Sequence, residues 1–568
     1  MADDKFAPLF APDLYKPDDL YHLKPFFTNL DQSVYVPLIF SPELVGALCS
    51  RTSRAAQDLR KIFLSEFIYT FTKATRGANE TMEQFREKLD YGRELLNFIS
   101  FLQFHPFSKL FSNPRARAFY STWLAQYGDD SIAQMAGLHL VYSGISQLAI
   151  KHLEDQRVGL APIEKSTRYV NYSKKVAGHY MYYTDPTLID QGWGAEYRKV
   201  MDGLFETYTA LIPKLTSWLT EQFPEEKPSV VEKKSFDCLR GLLPMSTLST
   251  VAFFGNGQAF EHMVNRCGAH SLGEIRWAGQ RAIEELDKVV PSFLRRIQDP
   301  EKRETIERHQ EYVAGKNRRV DKLARELENS NLVDREIRVS LIEYDPTGED
   351  KVLTGILYSA PSNHRSWSEI LEQASKMTIG RKKEILDRYF KGREVKWQKV
   401  GRALENVYVR FEIVMNAGAW RDLHRHRMLT QQRQNFSCYH GYEVPPEVVQ
   451  AGLESEYRDA IGPVEDLFAK VAPYNPELAQ YITTMAHYVK FMQWENLREC
   501  FWEMELRTIP EGHPDYRLVE QQKFKLLKEV YPLITEYMLV NMGQYDFARR
   551  GQEEKIAAKV KRLEQSPS

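Results

Sequence analysis

The sequence has 568 residues, with 76 Lys and Arg against 77 Asp and Glu, and a formal net charge of -1. Hydrophobic residues make up 43% and aromatic residues 12%, which excludes a disordered chain and is typical of globular domains. The balanced charge argues against a general nucleic-acid-binding or membrane-surface protein. At roughly 150 residues per domain, the length predicts about two to four domains.

The five cysteines are dispersed without a C-x-x-C pair, so neither a disulfide framework nor a zinc site is expected. The N-terminus is acidic and has no apolar signal-peptide core, which predicts a cytoplasmic protein. Two charge-free runs, 132–150 and 241–260, are as long as a membrane span of about 20 residues. Because they contain Gln, Ser or Thr and the second contains Pro244, we expect buried helices and no membrane association.

The first part of the chain has a mainly helical pattern. Residues 1–34, rich in Pro, Asp and aromatic side chains, predict an extended arm on the surface of a domain. Ser41 and Pro42 are a typical N-cap and first-turn pair, and a turn is predicted at 127–131. Residues 170–184 are typical of an extended segment. Helical periodicity covers three stretches, which are 41–127, 195–223 and 229–295.

A change of character at 297–330, where Glu, Lys and Arg dominate, predicts a solvated helix or linker. Beyond it, two alternating segments predict strands at 336–344 and 407–414, and helical patterns cover 366–402 and 446–548. The outline is α+β and helix-rich. The predicted division is an N-terminal arm at 1–34, a first domain at 35–298, a charged helical linker at 299–331, a second domain at 332–548 and a polar tail at 549–568.

Two motifs complement each other across the halves. Arg425-His-Arg427 in the second half, and Glu164-Lys-Ser-Thr-Arg-Tyr169 in the first, resemble the two ends of R-H-R-x-x-S-x-N-E-x-S-x-R-Y. This is the signature of the flavin-dependent thymidylate synthases. Each half lacks what the other keeps, because Gln156-Arg-Val158 stands where R-H-R is expected and Arg433–Cys438 stands where E-x-S-x-R-Y is expected.

Flanking segments strengthen the resemblance. Asn496-Leu-Arg498 is followed by Arg507 at the spacing of the family's Asn-x-Arg and essential Arg, and Arg240-Gly-Leu-Leu-Pro244 is similar to the family's R-x-x-L-P. The resemblance covers roughly 41–290 and 336–530. It implies two tandem domains of one fold, each helix-rich with a small antiparallel sheet.

The resemblance also implies a reaction: methylation of dUMP to dTMP, with FAD and NADPH as electron carriers and methylenetetrahydrofolate as co-substrate. Arg suits such ligands because its planar guanidinium binds phosphate oxygens bidentately. The implied cofactor-binding residues are Arg425, His426, Arg427, Asn496 and Arg498. The implied substrate-binding residues are Glu164, Ser166, Arg168, Arg240 and Arg507, of which Arg168 and Arg507 are also assigned catalytic roles. No metal ligand is implied.

In the resembled family, the active sites lie at subunit interfaces of a homotetramer. The complementary losses therefore predict a homodimer that forms a pseudo-tetramer, with two composite sites and two degenerate ones. The expected partners are dUMP, folate and a second copy of the chain, with no nucleic acid and no membrane.

Two alternatives remain open because Asp422, Thr430 and Gln432 replace residues that the family motif uses. The chain is then a flavoprotein acting on another nucleotide, or a catalytically inactive paralogue with a binding or scaffold role. Arg425–Arg427 alone also fits a solvated basic face, and Arg507 fits a structural ion pair. The basic run 381–399 contains Glu and Asp, which weakens a nucleic-acid interpretation.

Overall fold

The computed structural model describes residues 3–39, 41–78, 80–107, 109, 113–120, 122, 130–156, 158–292, 294, 303–327, 336–545, 547, 558, 559 and 562. Of the turn predicted at 127–131, residues 127–129 lie outside this set, and 130 and 131 belong to a short helix. Both ends of the charged linker and most of the polar tail also lie outside it.

The chain forms two compact units. Unit 1 consists of Met1–Pro213, Leu242–Asn331 and Asp459–Ile482, and unit 2 consists of Lys214–Gly241, Leu332–Arg458 and Thr483–Ser568. Each unit therefore takes one short segment from the opposite half of the sequence. The predicted division into two domains, separated by a linker at 299–331, does not include this reciprocal exchange.

Unit 1 contains a four-stranded antiparallel sheet with the order β1-β2-β4-β3. Its strands are β1 (Val34–Tyr35), β2 (Gly137–Ser146), β3 (Leu160–Glu164) and β4 (Leu248–Asn256). The helices of the first half are α1 (Pro17–Leu23), α2 (Pro42–Thr52), α3 (Leu59–Ile62), α4 (Tyr69–Thr72), α5 (Met82–Phe104), α6 (Pro114–Tyr120), α7 (Asp130–Ala133), α8 (Gln147–Glu154), α9 (Pro186–Asp190), α10 (Gly194–Gln222), α11 (Pro228–Leu239), α12 (Gly257–Gly268), α13 (Gly273–Asp287) and α14 (Arg303–Arg325). A π-helical turn, Phe63–Ile68, joins α3 to α4.

Unit 2 contains a sheet of the same order, β5-β6-β8-β7. Its strands are β5 (Arg338–Glu343), β6 (Tyr408–Asn416), β7 (Thr430–Arg433) and β8 (Tyr488–Asn496). The helices of the second half are α15 (Gly348–Tyr358), α16 (Trp367–Ser375), α17 (Ile379–Tyr389), α18 (Ala417–Leu423), α19 (Pro446–Gln450), α20 (Glu454–Val471), α21 (Pro476–Ala479), α22 (Leu497–Arg507), α23 (Pro514–Val530) and α24 (Pro532–Thr535). The predicted α+β class with one small antiparallel sheet per tandem copy is confirmed.

Four strands end at a residue that also caps the next helix. Ser146 and Asn256 accept backbone hydrogen bonds at the starts of α8 and α12, and Asn416 and Asn496 do the same for α18 and α22. A side-chain oxygen at this position satisfies a helix N–H that has no intrahelical partner. The central strands of both sheets therefore deliver the first turn of a helix to a fixed place.

The prediction of buried helices at 132–150 and 241–260 is wrong. Most of the first run is strand β2, which pairs with β4 of the second run from Gly137 opposite Asn256 to Ser146 opposite Leu248. Both strands are covered on both faces, so a continuous apolar run replaces the usual alternation and cannot be distinguished from a buried helix by pattern. Strand β8 is missed within 446–548 for a different reason: its buried face carries the polar Gln493 and Glu495, whereas Met492 and Trp494 lie on its more exposed face.

The prediction of a surface arm at 1–34 is wrong in its second part. Leu23, Phe26 and Phe27 are buried in the core of unit 1, where they pack with residues of α2, α3 and the π-helical turn. The aromatic residues in this segment therefore anchor it rather than cover a surface. The extended segment predicted at 170–184 contains only isolated bridges, at Val176 and Tyr182.

Within the residues that the structure describes, none of the helices is long and apolar enough to cross a membrane.

Candidate functional site

A pocket of about 270 Å³ lies within unit 2, and we call it the Arg240 pocket. Arg240 belongs to the exchanged segment Lys214–Gly241, whereas most of the other walls come from the second half of the sequence. The pocket is thus built from both tandem copies. Arg240 is 5% exposed, and its Nε lies 3.5 Å from Oδ1 of Asp237 one helical turn earlier.

His513 fixes one wall of the Arg240 pocket. Its Nδ1 accepts the backbone N–H of Asp515 at 3.1 Å, which caps α23. With Nδ1 acting as acceptor, the ring proton resides on Nε2, which lies 3.3 Å from Oδ1 of Asp237. Asp237 therefore faces both Arg240 and His513, and this shared carboxylate orients the guanidinium toward the pocket.

Asn416 joins two carboxyl groups that line the Arg240 pocket. Its Nδ2 donates to Oδ2 of Asp515 at 2.6 Å and also to Oε2 of Glu443, while its Oδ1 caps α18. Burial, together with the nearby Asp515, raises the pKa of Glu443 to about 8. A carboxyl group that keeps its proton near neutral pH can donate a hydrogen bond to a ligand as well as accept one.

The raised pKa of Glu443 makes stability depend on pH. The folded protein holds a proton that the unfolded chain releases at about 4.5, so this stabilisation is complete at low pH and is lost as pH rises toward 8. Asp515, Arg240 and Glu447 also face this carboxyl. We expect Glu443→Gln, which cannot ionise, to show a smaller fall in melting temperature between pH 5 and 8. The exposed Glu529→Gln is the control, and equal falls in wild type and Glu443→Gln would contradict the assignment.

The hydroxyl of Tyr457 lies in the Arg240 pocket without a hydrogen-bond partner in the part of the chain that the structure describes. Tyr457 itself is fully buried. Leaving a buried hydroxyl unpaired costs about 1–3 kcal/mol, so such groups usually serve a ligand or a water molecule. The Arg240 pocket therefore offers a hydroxyl, a protonated carboxyl and a guanidinium to a polar ligand.

The loop after α18 carries the predicted R-H-R motif, and Arg507 holds it. Arg507 Nε donates to Nε2 of His426 at 2.9 Å and its guanidinium also reaches the backbone oxygen of Asp422. Nδ1 of His426 therefore carries the ring proton and donates to Oε1 of Glu499 at 2.8 Å. The structure brings His426 and Arg507 together, as expected from their motifs, and adds Glu499, which the sequence did not indicate.

Asn496 and Arg498 line a groove of about 510 Å³ in unit 2, here named the Arg498 groove. Arg498 pairs with Glu405, and Glu499 and Met428 connect the groove to the R-H-R loop. Arg425 and Arg427 are exposed, whereas His426 between them is buried. The Arg498 groove also contains Arg393, Lys396, Lys399, Tyr408 and Trp502, none of which was predicted.

The remaining predicted residues, Glu164, Ser166 and Arg168, lie in unit 1 at the end of β3. Glu164 is buried and its Oε2 lies 2.7 Å from Nζ of Lys151, so it is part of a buried ion pair. Ser166 N donates to the backbone oxygen of Ser53 at 2.9 Å, and its Oγ accepts from Arg168 N at 3.3 Å. Their expected roles in substrate binding remain predictions.

Sequence reasoning missed most of the polar lining of the Arg240 pocket. Asp237 stands three residues before Arg240 and thus on the same helix face, which is a signal that spacing provides. His513-Pro-Asp515 is a helix-start pattern that marks the other wall. Asn416, Glu443 and Tyr457 carry no such signal, since each is brought in by a separate element.

Comparison with known proteins gives a consistent family. The family model described as thymidylate synthase complementing protein matches residues 74–292 and 340–533. A UPF0159 protein of Chlamydia pneumoniae is 34% identical over 92% of this chain and 95% of its own length. A UPF0159 protein of Thermoplasma acidophilum is 27% identical over 77% of this chain and 92% of its own length.

Among solved structures, a UMP/dUMP methylase PolB from Streptomyces cacaoi bound with 5-Br dUMP is 16% identical, with a TM-score of 0.28. The match covers 36% of this chain and 95% of the methylase. The two family-model matches, one on each half, confirm the tandem arrangement expected from the motifs. The chain belongs to the thymidylate synthase complementing protein family, as a tandem pair of its domains.

Proposed function

We propose that the chain is a flavin-dependent thymidylate synthase, which converts dUMP to dTMP with methylenetetrahydrofolate and NADPH at sites built from both tandem copies. The observation that carries this proposal is the Arg240 pocket, where an arginine of the first copy faces the walls of the second. The family membership supplies the reaction class.

The nucleotide is proposed to occupy the Arg240 pocket. Arg240 and Lys234 are the cations that line it. Tyr457, Asn416 and Glu443 supply hydrogen-bond donors and acceptors. A pyrimidine base presents neighbouring donors and acceptors, which a protonated carboxyl beside a carboxylate can match. Arg240 is held by Asp237, so little side-chain entropy is lost when it binds an anionic oxygen.

FAD is proposed to occupy the Arg498 groove, whose residues fit its chemistry. Lys396 and Lys399 make no ion pair among the described residues, although Lys399 lies over the Trp502 ring. Two such cations suit a diphosphate, and the faces of Trp502 and Tyr408 suit flat aromatic rings. When bound, reduced FAD supplies the hydride, so the chain has to bind and orient the reactants and needs no nucleophile of its own.

The decisive experiment has two parts. Purified protein is examined for flavin absorbance, and tritium release from 5-tritiated dUMP is then followed with methylenetetrahydrofolate, NADPH and FAD supplied. Flavin binding together with tritium release supports the proposal. Reducible bound FAD without tritium release contradicts the thymidylate reaction. Protein that binds no flavin contradicts both the use of FAD and the flavin-dependent reaction.

A flavoprotein acting on a different pyrimidine nucleotide is the second candidate. It is favoured by the lining of the Arg240 pocket, where Asp237, Glu443, Glu447 and Asp515 outnumber Arg240 and Lys234. Such a surface suits the base better than the phosphate, and a base with an amino group would find acceptors there. Comparing dUMP, UMP and dCMP in equilibrium binding separates the two candidates.

Self-association is part of the proposal, with a homodimer acting as a pseudo-tetramer. Light scattering on a sizing column gives the mass, and bound flavin gives the ratio of cofactor to chain. A monomer that binds FAD and nucleotide at full stoichiometry would show that a second copy is not needed.

Arg427→Ala is expected to weaken FAD binding, and Arg240→Ala is expected to weaken dUMP binding, each by about tenfold to a hundredfold, since a charge-assisted phosphate contact contributes about 1.5–3 kcal/mol. Fluorescence titration with FAD and equilibrium dialysis with dUMP measure the two affinities separately. Arg381→Ala, which removes an exposed arginine paired with Glu384 on its own helix, is the control. Unchanged affinities in both variants would remove these residues from the site.

A further inference from the structure

The two units can be compared residue by residue because their backbones repeat the same hydrogen bonds. In unit 1 the donor–acceptor pairs are Gln147 N to Thr247 O, Leu148 N to Met245 O and Tyr183 N to Ser246 O. In unit 2 the corresponding pairs are Ala417 N to His487 O, Gly418 N to Met485 O and Glu443 N to Ala486 O. The helix-starting sequence Glu-Tyr-Arg also recurs, at 196–198 and 456–458.

This correspondence extends to the walls of the Arg240 pocket. Ser146 and Asn416 cap equivalent helices, and Glu274 and Asp515 are the second residues of α13 and α23. The remaining equivalent positions, in the order unit 1 then unit 2, are Tyr183 and Glu443, Tyr197 and Tyr457, and Tyr481 and Gly241. At two of these positions a tyrosine of unit 1 corresponds to a smaller or more polar residue of unit 2, namely Gly241 and Glu443.

In unit 1 the two tyrosines fill the space. Tyr481 is fully buried and donates to Oε2 of Glu274 at 2.7 Å, and its ring centroid lies 5.1 Å from that of Tyr183. Ser146 donates to both oxygens of Glu274, at 2.8 Å from its backbone and 2.6 Å from its hydroxyl. Tyr197 donates to the backbone oxygen of Tyr183 at 2.7 Å. The hydroxyls of Ser146, Tyr197 and Tyr481 thus each have a protein partner at this point.

In unit 2 no tyrosine of the exchanged segment occupies the same position. Gly241 has no side chain, and the Tyr457 hydroxyl lies 2.1 Å from where its Cβ atom would be, so a larger residue there would force Tyr457 to move. Glu443 replaces the second tyrosine and lines the pocket instead of filling it. The equivalent of Tyr197, Tyr457, keeps its hydroxyl without a partner among the described residues.

We propose that the chain carries one ligand pocket of this kind, the Arg240 pocket of unit 2, and that Tyr183 and Tyr481 seal its counterpart in unit 1. Gly241 and Glu443 are the residues that keep the pocket of unit 2 open. The identity of the ligand rests on the proposed function. The inference is that each chain binds one pyrimidine nucleotide in a pocket of this kind, and not two. The two units thus share the backbone arrangement around this position, but the cavity is present in unit 2 and filled by tyrosine side chains in unit 1.

The two positions contain carboxyl groups that permit a direct test without any nucleotide. Burial raises the pKa of Glu274 to about 7, although Ser146 and Tyr481 donate to it, and burial raises the pKa of Glu443 to about 8. The labelling is therefore carried out well below pH 7, where both groups keep their protons. Water-soluble carbodiimides react with protonated carboxyls, so the difference in labelling between the two reports access of the reagent and not acidity.

The protein is treated with a water-soluble carbodiimide and glycine ethyl ester, and the labelled peptides are quantified by mass spectrometry. We expect Glu443 to be labelled at least about ten times faster than Glu274. Glu274 is fully buried, so the reagent reaches it only when the surrounding structure opens locally. Tyr481→Gly is expected to make Glu274 reactive, and Gly241→Ala, which forces Tyr457 to move, is expected to protect Glu443. Gly380→Ala is the matched control, because a Cβ there meets open space.

Tyr481→Phe keeps the ring and removes only the hydrogen bond, and it provides the measurement should Tyr481→Gly not fold. Glu274 is expected to remain unlabelled in it. Equal labelling of Glu274 and Glu443 in the wild type would overturn the inference. In a separate arm, dUMP is expected to slow the labelling of Glu443. Unequal labelling without protection by dUMP would uphold the sealed counterpart and reject dUMP as the ligand.

Discussion

Replacing Lys523 by Met is expected to lower the stability of unit 2 by about 3–5 kcal/mol, the range found when one partner of a buried charge network is removed. Lys523 is fully buried, and its Nζ lies 2.7 Å from Glu495, 2.9 Å from Glu503 and 3.2 Å from Glu520. These carboxyls come from β8, α22 and α23, so the ammonium ion joins the sheet to both helices. Without it three buried carboxyls face each other.

The same network predicts a characteristic pH dependence for this variant. Burial, together with Glu503, raises the pKa of Glu520 to about 8, and Lys523 helps to hold the pKa of Glu503 at about 2 against the effect of burial. Removing the lysine makes the folded state require more bound protons. The stability of Lys523→Met is therefore expected to be greatest at low pH and to fall more steeply than that of the wild type as pH rises toward 8.

Thermal and urea unfolding at several pH values measure both effects. Lys525→Met, which changes an exposed lysine on the same helix, is the control. Lys523→Met combined with Glu495→Gln and Glu503→Gln is expected to recover part of the loss, because the uncompensated charges are removed. A single variant as stable as the wild type at pH 8 would show that the network contributes little.

Arg507→Ala is expected to reduce kcat/KM for tritium release by about a hundredfold to a thousandfold, the effect typical of losing one positioned charged donor in an active site. Arg507 acts here as a positioning residue, because its observed contacts are with His426 and with Asp422 on the R-H-R loop. The change frees His426 Nε2 and removes the donor that fixes its tautomer. Lys cannot donate in both directions with the same planar geometry, so Arg507→Lys is expected to recover little.

Added guanidinium ion distinguishes a positioning role from a structural one. It is expected to restore part of kcat in Arg507→Ala at saturating FAD and to leave the melting temperature unchanged. Arg458→Ala, an exposed arginine paired with Glu454 on its own helix, is the control. If the variant loses stability and activity in proportion, and guanidinium restores neither, Arg507 serves the fold alone.

Several elements were predictable from local pattern. Strand β6 alternates because Val409, Phe411 and Ile413 are buried on one face while Tyr408 and Glu412 are exposed on the other. Ser41 and Pro42 mark the first turn of α2. Strands β2 and β4 were not predicted, since a strand covered on both faces loses its period and resembles a buried helix. Strand β8 was not predicted because Gln493 and Glu495 lie on its buried face and Trp494 on its exposed face, so apolar and polar residues do not alternate. The aromatic residues near Phe26 were assigned to a surface because burial depends on what the rest of the chain places over them.

The candidate site divides in the same way. Asn496, Arg498 and Arg507 were predicted from motif spacing because they lie close together in sequence, at the end of β8 and on α22, and His426 was predicted from the separate R-H-R motif. Asn416, Glu443, Asp515 and Tyr457 were not, because each comes from a different element. Their chemistry as a group, including the raised pKa of Glu443, exists only when the elements pack together.

The sequence by itself determined that this chain has two tandem copies of one family's domain, since short motifs keep their order and spacing in each half. Only the tertiary structure decided that Lys214–Gly241 and Asp459–Ile482 are exchanged between the units. Composition and periodicity are local properties. Whether a segment packs against its own half of the sequence or against the other half depends on the apolar surface that it buries against residues distant in sequence. That exchange places Arg240 and Gly241 in unit 2 and Tyr481 in unit 1, and so makes one pocket open and the other filled.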